Sequence, residues 1–231
     1  NFYLYDGRIQ TIPCSVRQYV FDDINRQQSF KFFAGSLSSN SEVWWYYCSA
    51  GSSEIDRYVI YNYLEQTWYY GSLVRTAWMD RSSGSRLYPQ SPGTDGVLYN
   101  HEFGLDDGSQ TPAVAINAFV QSSDFDIGDG QQFMLINRIL PDLNFGQSTA
   151  AAPEVKFTMG ARNFSGSVAG QGTAAGDVTR TSVVSGDDNY TNQLHMRLRG
   201  RQMNLKVESD TTGVKWRLGA PRLDMRPDGR R

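Results

Sequence analysis

Apolar and polar residues alternate near the end of the chain, and this pattern constrains the fold more than any other. The alternation runs through residues 194–199, resumes after Gly200 at 202–208, and continues over 214–218. Successive side chains of a strand point to opposite faces, so a period of two indicates strands with one buried and one solvated face. No competing stretch has the 3.6-residue period of an amphipathic helix. The pattern therefore predicts an all-β fold with antiparallel sheets, as in a sandwich.

Aromatic residues characterise the first half of the chain. They make up 13% of all residues and concentrate before residue 104, between frequent Gly, Asn, Asp and Ser. This composition favours short strands joined by turns. Three segments, 2–7, 58–63 and 96–101, resemble one another. In each, a mainly apolar or aromatic run is followed by Tyr-Asp or Tyr-Asn and then by one further residue. We interpret them as blades of an incomplete β-propeller, because a closed propeller needs at least four blades.

The composition of the sequence changes near residue 108, and this change predicts two domains. Residues 1–108 are expected to be propeller-like blades, forming the end of a larger propeller whose other blades precede this chain. Residues 109–231 are expected to form an antiparallel β-sandwich-like domain. Its segment at about 165–192 is rich in Gly, Ala, Thr and Ser and predicts a long loop. In the first half, residues 15–21 are expected to form a further strand.

Composition excludes several classes of protein. No apolar run approaches the roughly 20 residues that span a bilayer, so no membrane contact is expected. The net charge of -2 and the pI near 5.7 do not indicate nucleic-acid binding by bulk electrostatics. The chain opens without Met or a basic signal-peptide start, which suggests part of a longer protein. Its two cysteines, Cys14 and Cys48, are expected to be buried thiols rather than a disulfide.

The sequence displays no arrangement of residues typical of an active site. Nucleophilic catalysis usually needs a histidine beside the nucleophile, and the chain has only His101 and His195. His195 lies on the polar side of an alternating strand, and His101-Glu102 precedes a turn at Asp106–Asp107. The acidic segment 124–130 lacks the flanking helices and the final acid of an EF-hand, so we expect a hairpin turn. We therefore predict no enzyme, no metal site and no cofactor.

A basic cluster near the end of the chain is its one charge asymmetry. Several members share the solvated side of predicted strands, and the same region also contains Arg222, Arg226, Arg230 and Arg231. The cluster can be a solvated face that bridges to acidic subunit surfaces, or a surface that contacts DNA phosphates without sequence specificity. Its candidate site residues are Arg197, Arg199, Arg201, Lys206, Lys215 and Arg217.

Several stretches together resemble a known class of viral protein. They are residues 12–25 (IPCSVRQYVFDDIN), 42–47 (EVWWYY), 54–63 (EIDRYVIYNY), 199–202 (RGRQ), 216–219 (WRLG) and 222–231 (RLDMRPDGRR). In these stretches the chain resembles the C-terminal portion of tail hub or nozzle proteins of tailed bacteriophages, which are virion structural proteins containing a β-propeller.

The resemblance implies a structural role in the virion. The chain would be a subunit of a homo-oligomeric ring, similar to a hexamer, in the bacteriophage tail. The ring would form part of the conduit for genome ejection and would dock neighbouring tail proteins. The basic cluster would then line the lumen, where genomic DNA passes, or the contacts between subunits.

Two alternatives concern tail fibres. A carbohydrate-binding receptor module would expose tryptophans in a groove, and the candidates are Trp44, Trp45, Trp68 and Trp78. A glycan depolymerase would need two carboxylates about 5–10 Å apart in a cleft. The best sequence candidate for that pair is Asp22-Asp23, although adjacent residues of a strand point to different sides.

Overall fold

The computed structural model describes residues 1–82, 87–164, 166, 178–185 and 193–230. Strands account for 46% of the chain and helices for 6%, which confirms the all-β prediction. The chain divides into two compact units, Asn1–Phe103 and Gly104–Arg231. The sequence predicted the boundary five residues later, after residue 108. Across these described segments, no barrel or propeller is closed. In the same segments, no helix combines the length and the apolar character that crossing a bilayer requires.

The first unit consists of short antiparallel sheets. Its strands are β1 (Phe2–Tyr5), β2 (Ile9–Ile12), β3 (Phe33–Leu37), β4 (Glu42–Tyr47), β5 (Arg57–Asn62), β6 (Thr67–Ser72), β7 (Gln90–Pro92) and β8 (Leu98–Asn100). Helix α1 (Arg17–Asp23) and a 3-10 helix (Arg26–Lys31) lie between β2 and β3. Strands β3, β4, β5 and β6 pair in this order as one meander, while β1-β2 and β7-β8 are two-stranded hairpins.

Helix α1 replaces the strand that the sequence predicted at residues 15–21, so that prediction is wrong. Val16, Val20 and Ile24 are spaced four residues apart and therefore share one face of a helix. Val20 is buried, and the other two pack against the same cluster. The β-branched and aromatic composition of the segment favours a strand locally, but burial of this one apolar face stabilises the helix instead.

Both faces of the β3-β4-β5-β6 sheet are covered. On one face, Tyr47 and Val59 pack against Val20 of α1. On the opposite face, the buried cluster consists of Leu37, Trp44, Tyr46, Cys48, Ile55 and Ile60.

Both cysteines are free thiols. Cys48 is buried and Cys14 is half-buried, so the expectation of two buried thiols is met by Cys48 alone.

The three similar segments of the first half occupy different settings. Residues 2–7 belong to the β1-β2 hairpin and residues 96–101 to the β7-β8 hairpin, whereas residues 58–63 contain most of β5, an inner strand of the meander. Their sequence similarity reflects a shared strand-then-turn pattern, and the three positions are not structurally equivalent.

The second unit contains two larger sheets and two small ones. Its strands are β9 (Asp106–Asp107), β10 (Val114–Ala115), β11 (Ala118–Gln121), β12 (Met134–Leu140), β13 (Leu143–Asn144), β14 (Glu154–Arg162), β15 (Val178–Ser185), β16 (Leu194–Gly200), β17 (Gln202–Ser209), β18 (Arg217–Leu218) and β19 (Arg222–Pro227). The pairing orders are β11-β17-β14-β15, β16-β12-β19, β13-β18 and β10-β9, all antiparallel.

One core joins the two larger sheets of this unit. It contains residues of β12 and β16 from one sheet and of β14 and β17 from the other, including the fully buried Ile136 and Phe157. Burial alternates strictly along β16, from Leu194 to Gly200, with the apolar residues inside and the polar residues exposed. The period-two prediction is therefore confirmed for this strand.

The predicted long loop at 165–192 is interrupted by strand β15, Val178–Ser185, which pairs along its whole length with β14. The prediction averaged over a Gly- and Ala-rich segment and overlooked a local run of Val and Thr, residues that favour strands. Residues 165, 167–177 and 186–192 of that predicted loop lie outside the described part.

Candidate functional site

The turn between β16 and β17 separates the predicted basic residues. Arg197 and Arg199 lie on β16 and Arg201 follows it directly, whereas Lys206 lies on β17 in the other large sheet. The two sheets direct their inner faces at one core, so their solvated faces point away from each other. The chain changes sheet at Gly200, and the two halves of the predicted cluster therefore do not form one surface.

The last two predicted residues belong to a small sheet. Arg217 is in β18 and pairs with Asn144 of β13. Lys215 precedes β18, and its Nζ donates a hydrogen bond to Gln147 Oε1. Neither residue lies on β16, β12 or β19. Of the predicted residues, those on β16 are the ones that lie beside further basic residues, which are on the neighbouring strands β12 and β19.

These neighbouring strands complete a solvated, arginine-rich surface on the β16-β12-β19 sheet. Leu135 of β12 pairs with Arg199 on one side and with Arg226 on the other, which places the two arginines in one row across the sheet. Arg138 of β12 lies on the same face, opposite Asp224 of β19. We call this surface the arginine face, and its basic members are Arg138, Arg197, Arg199, Arg222 and Arg226.

Two carboxylates hold three of these guanidinium groups. Asp224 lies between two arginines, with Oδ2 3.3 Å from Arg138 Nε and Oδ1 3.7 Å from Arg226 Nε. Asp228 Oδ2 is 2.5 Å from Arg199 Nε. All of these groups are partly solvated, so each pair contributes little to stability. Their main effect is to orient the guanidinium groups along the sheet.

Arg197 and Arg222 differ from the other members of the arginine face. Both are exposed, and within the described residues neither has an ion pair or a side-chain hydrogen bond. Arg197 also adopts a left-handed backbone conformation with φ +39°. The register of β16 against β12 shifts between Ile136 and Arg138, which identifies a β-bulge at this point. Bulges redirect side chains and recur beside functional sites.

A stacked arrangement borders the arginine face at the end of β16. The guanidinium carbons of Arg199 and Arg201 lie 3.9 Å and 4.7 Å from the centre of the Phe133 ring. Arg201 also donates hydrogen bonds to the backbone oxygens of Gln131 at 2.9 Å and Arg230 at 3.1 Å. The ring is buried beneath the two charged groups, and Arg201 anchors the C-terminal residues rather than facing solvent freely.

The histidines do not form a catalytic pair in the described part of the chain. His101 Nε2 accepts hydrogen bonds from Ser91 Oγ at 2.5 Å and from Arg75 Nε at 3.3 Å, and its ring packs on Trp78. Burial, with the charge of Arg75 as a smaller cause, lowers the pKa of His101 to about 4. Ser91 is fully buried, so no substrate reaches its hydroxyl. His195 is exposed on β16, as its position in the alternation predicts.

The two acidic segments are structured by the protein itself. Asp124 forms an ion pair with Arg162 and accepts a hydrogen bond from Asn204. The carboxylates of Asp107 and Asp129 each accept a hydrogen bond from a backbone amide two residues later, as in turns. Among the residues that the structure describes, no three His, Cys, Asp or Glu side chains gather where they could hold a metal ion.

The tryptophans of the first unit pack into its interior. Trp68 Nε1 donates to Pro13 O and Trp78 Nε1 donates to Ser36 O, both at 2.8 Å. The four that the carbohydrate-binding alternative requires belong to the two clusters of this unit or pack against them: Trp44, Trp45, Trp68 and Trp78. Sugar-binding sites present aromatic faces to solvent, so this packing argues against that alternative.

The carboxylates considered for glycan cleavage also have structural partners. Asp22 and Asp23 lie in α1, where Asp22 is exposed and Asp23 is half-buried. Asp23 Oδ2 is 3.7 Å from Arg57 Nε, and Arg57 Nη1 lies 3.6 Å from Asp56 Oδ2 on its other side. Of the candidate pair, Asp23 therefore has the charge of Arg57 beside it and Asp22 does not. A nearby positive charge favours the ionised form of Asp23.

Comparison of the chain with models of known protein families and with curated proteins found no match. Exposed guanidinium groups form charge-assisted hydrogen bonds to phosphate or carboxylate oxygens. Sequence reasoning missed Arg138 as a member of the arginine face. The available signal was its position as the one charged residue in the apolar run of β12.

Proposed function

We propose that this chain is a structural subunit of a bacteriophage tail, within the ring of the nozzle or hub. It forms part of the conduit through which DNA is ejected and docks neighbouring tail proteins. Its function is to pack against other subunits, so no residue is assigned a catalytic role. The resemblance of its sequence to such proteins motivates the proposal, and the surface of the β1-β2 hairpin supports it.

That surface is the observation that carries the proposal. The β1-β2 hairpin exposes 59% of Tyr3, 51% of Leu4, and 76% of both Tyr5 and Ile9. These four residues line one shallow apolar depression. Contiguous exposed apolar surface on a folded unit marks an interaction site. A subunit that is buried among neighbours in a ring accounts for such a hairpin.

The aromatic meander agrees with the finer part of the proposal. A propeller blade is a four-stranded antiparallel sheet, and β3-β4-β5-β6 has this number of strands in consecutive order. We propose that it is one blade of a propeller whose other blades are outside the described residues. The second unit, with two antiparallel sheets over one core, is proposed to be the sandwich-like domain.

Electron microscopy of the full-length protein tests the ring. We expect closed rings of identical subunits, for which the resemblance implies six copies. Replacing Tyr5 and Ile9 by Ser should disperse the rings, because it removes exposed apolar contacts. Phe30→Ser is the matched control, since Phe30 is equally exposed but lies outside the hairpin. Monomers in solution that are also absent from phage particles would refute the proposal.

A further inference from the structure

We propose that the arginine face binds the phosphate backbone of double-stranded DNA without reading its sequence. Arg197 and Arg222 are the primary contacts, and Arg138, Arg199 and Arg226 are the supporting ones. The inference rests on the proposed function for its biological setting, a conduit for DNA. The binding itself is a property of the isolated protein and can be tested separately.

The charge of the arginine face is local and positive. The chain as a whole has a net charge of -2, whereas the arginine face has five arginines. Among the described residues, Asp224 and Asp228 pair with three of these arginines, and Asp142 lines a depression together with Arg222. Phosphate contacts supply most of the affinity of non-specific DNA binding. The planar guanidinium group suits them, because it can donate two parallel hydrogen bonds to one phosphate.

The supporting arginines are held in place before any ligand arrives. Asp224 orients Arg138 and Arg226, and Arg138 Nη1 also donates to Gln193 Oε1 at 3.0 Å. Arg199 is fixed by its ion pair and by the Phe133 ring beneath it. Fixing a long side chain in advance lowers the entropy lost on binding.

The primary contacts are the two arginines that no described group neutralises. Arg197 is directed outward at a β-bulge, with a backbone conformation that non-glycine residues rarely adopt. Such conformations persist where the surrounding structure imposes them, and they concentrate at functional sites. Arg222 is exposed at the start of the edge strand β19 and pairs with Leu140. Both charges are therefore available to a ligand.

The composition of the three strands favours duplex DNA over single strands. Proteins that bind single-stranded nucleic acid without specificity stack its bases on aromatic side chains. No Phe, Tyr or Trp occurs in β12, β16 or β19, and the adjacent Phe133 is buried. Base sequence is read by elements that reach base edges in a groove, whereas a sheet face presents its side chains to the backbone. The expected binding is independent of sequence.

Fluorescence anisotropy with short labelled duplexes of unrelated sequence tests the proposal. The wild-type protein should bind all duplexes equally, bind single strands more weakly, and lose affinity steeply as salt rises. The variant Arg197→Gln/Arg222→Gln should bind at least about tenfold more weakly at low salt, with a log–log salt slope smaller by about 2. Because neither residue has a described partner, the variant should keep the wild-type circular dichroism spectrum and melting temperature.

The matched control is Lys215→Gln/Arg217→Gln, which removes the same charge from the same unit but off the arginine face. It should bind within about twofold of the wild type, because the contacts are local. Absence of duplex binding at low salt would overturn the proposal, as would equal losses in both variants. Polyglutamate and unlabelled duplex can also be compared as competitors at equal concentration of negative charge. If polyglutamate displaces the labelled duplex at the lower concentration, the arginine face binds acidic protein surfaces and the DNA proposal is overturned.

The outcomes separate this inference from the proposed function. If the duplex does not bind but the protein forms tail rings, the arginine face has another role and the ring proposal stands. If the duplex binds as expected but the protein is absent from phage particles, the tail proposal fails and the assignment of the face stands.

Discussion

Acidification should destabilise the first unit through His101. In the folded protein, Nε2 of this ring accepts a hydrogen bond from Arg75 Nε and lies 2.5 Å from Ser91 Oγ. Protonation of that nitrogen would break the bond from Arg75 and place a second positive charge beside the guanidinium group. Burial is the main cause that lowers the pKa of His101 to about 4. In the unfolded chain, a histidine takes up its proton near pH 6.5. The unfolded state therefore binds the proton first as the pH falls.

The size of the effect follows from this difference. Because the folded pKa lies below the unfolded pKa, the contribution of His101 is complete above pH 6.5 and is lost as the pH falls towards 4. The separation between the two values corresponds to about 3 kcal/mol. The ring is partly exposed, and solvent screening reduces the expected loss to about 2 kcal/mol.

Urea unfolding followed by tryptophan fluorescence measures this loss, since four of the five tryptophans lie in the first unit. His101→Gln keeps an acceptor for Ser91 but has no imidazole to protonate. Between about pH 7 and pH 4.5, we expect this variant to lose about 2 kcal/mol less stability than the wild type. His195→Gln, which removes an exposed histidine, should follow the wild type. Identical pH dependence of wild type and His101→Gln would refute the reasoning.

Three further substitutions test the packing and the electrostatics. Phe157→Ala should lower the free energy of unfolding by about 3–5 kcal/mol, because it empties a fully buried position; a loss below about 1 kcal/mol in urea would contradict the core assignment. Gly35→Ala should lower the melting temperature and cost about 1–3 kcal/mol, because the added Cβ would collide with the Trp78 indole; unchanged melting would show that Trp78 packs elsewhere. Asp228→Asn should cost less than about 1 kcal/mol, since its ion pair with Arg199 is solvated, and should tighten duplex binding in the anisotropy assay; weaker binding would contradict the role of the arginine face.

Local patterns predicted the strands whose neighbours lie close in sequence or whose burial is one-sided. The alternation of β16 matches its burial residue by residue. The segment at α1 was misjudged because its β-branched and aromatic residues favour strands, while the deciding contacts of Val20 with Tyr47 and Val59 come from distant strands. The prediction of a long loop at 165–192 used the average composition of that segment and therefore missed β15.

The candidate site depends on strand pairing, which the sequence alone does not display. Leu135 joins Arg199 and Arg226 in one row, although these residues are separated by many positions along the chain. The predicted cluster followed sequence proximity and therefore included Lys206, which the change of sheet at Gly200 sends to the opposite side of the core. Strand register, and not local composition, selects the members of the arginine face.

The most direct test of the proposed tail role is to isolate virus particles from the biological source of this chain and to reconstruct them by cryo-electron microscopy. We expect a ring of identical copies at the tail, with the β1-β2 hairpin buried against a neighbouring subunit and the arginine face lining the central channel. Particles whose tail contains no copy of this chain, while the purified protein remains monomeric, would contradict the account.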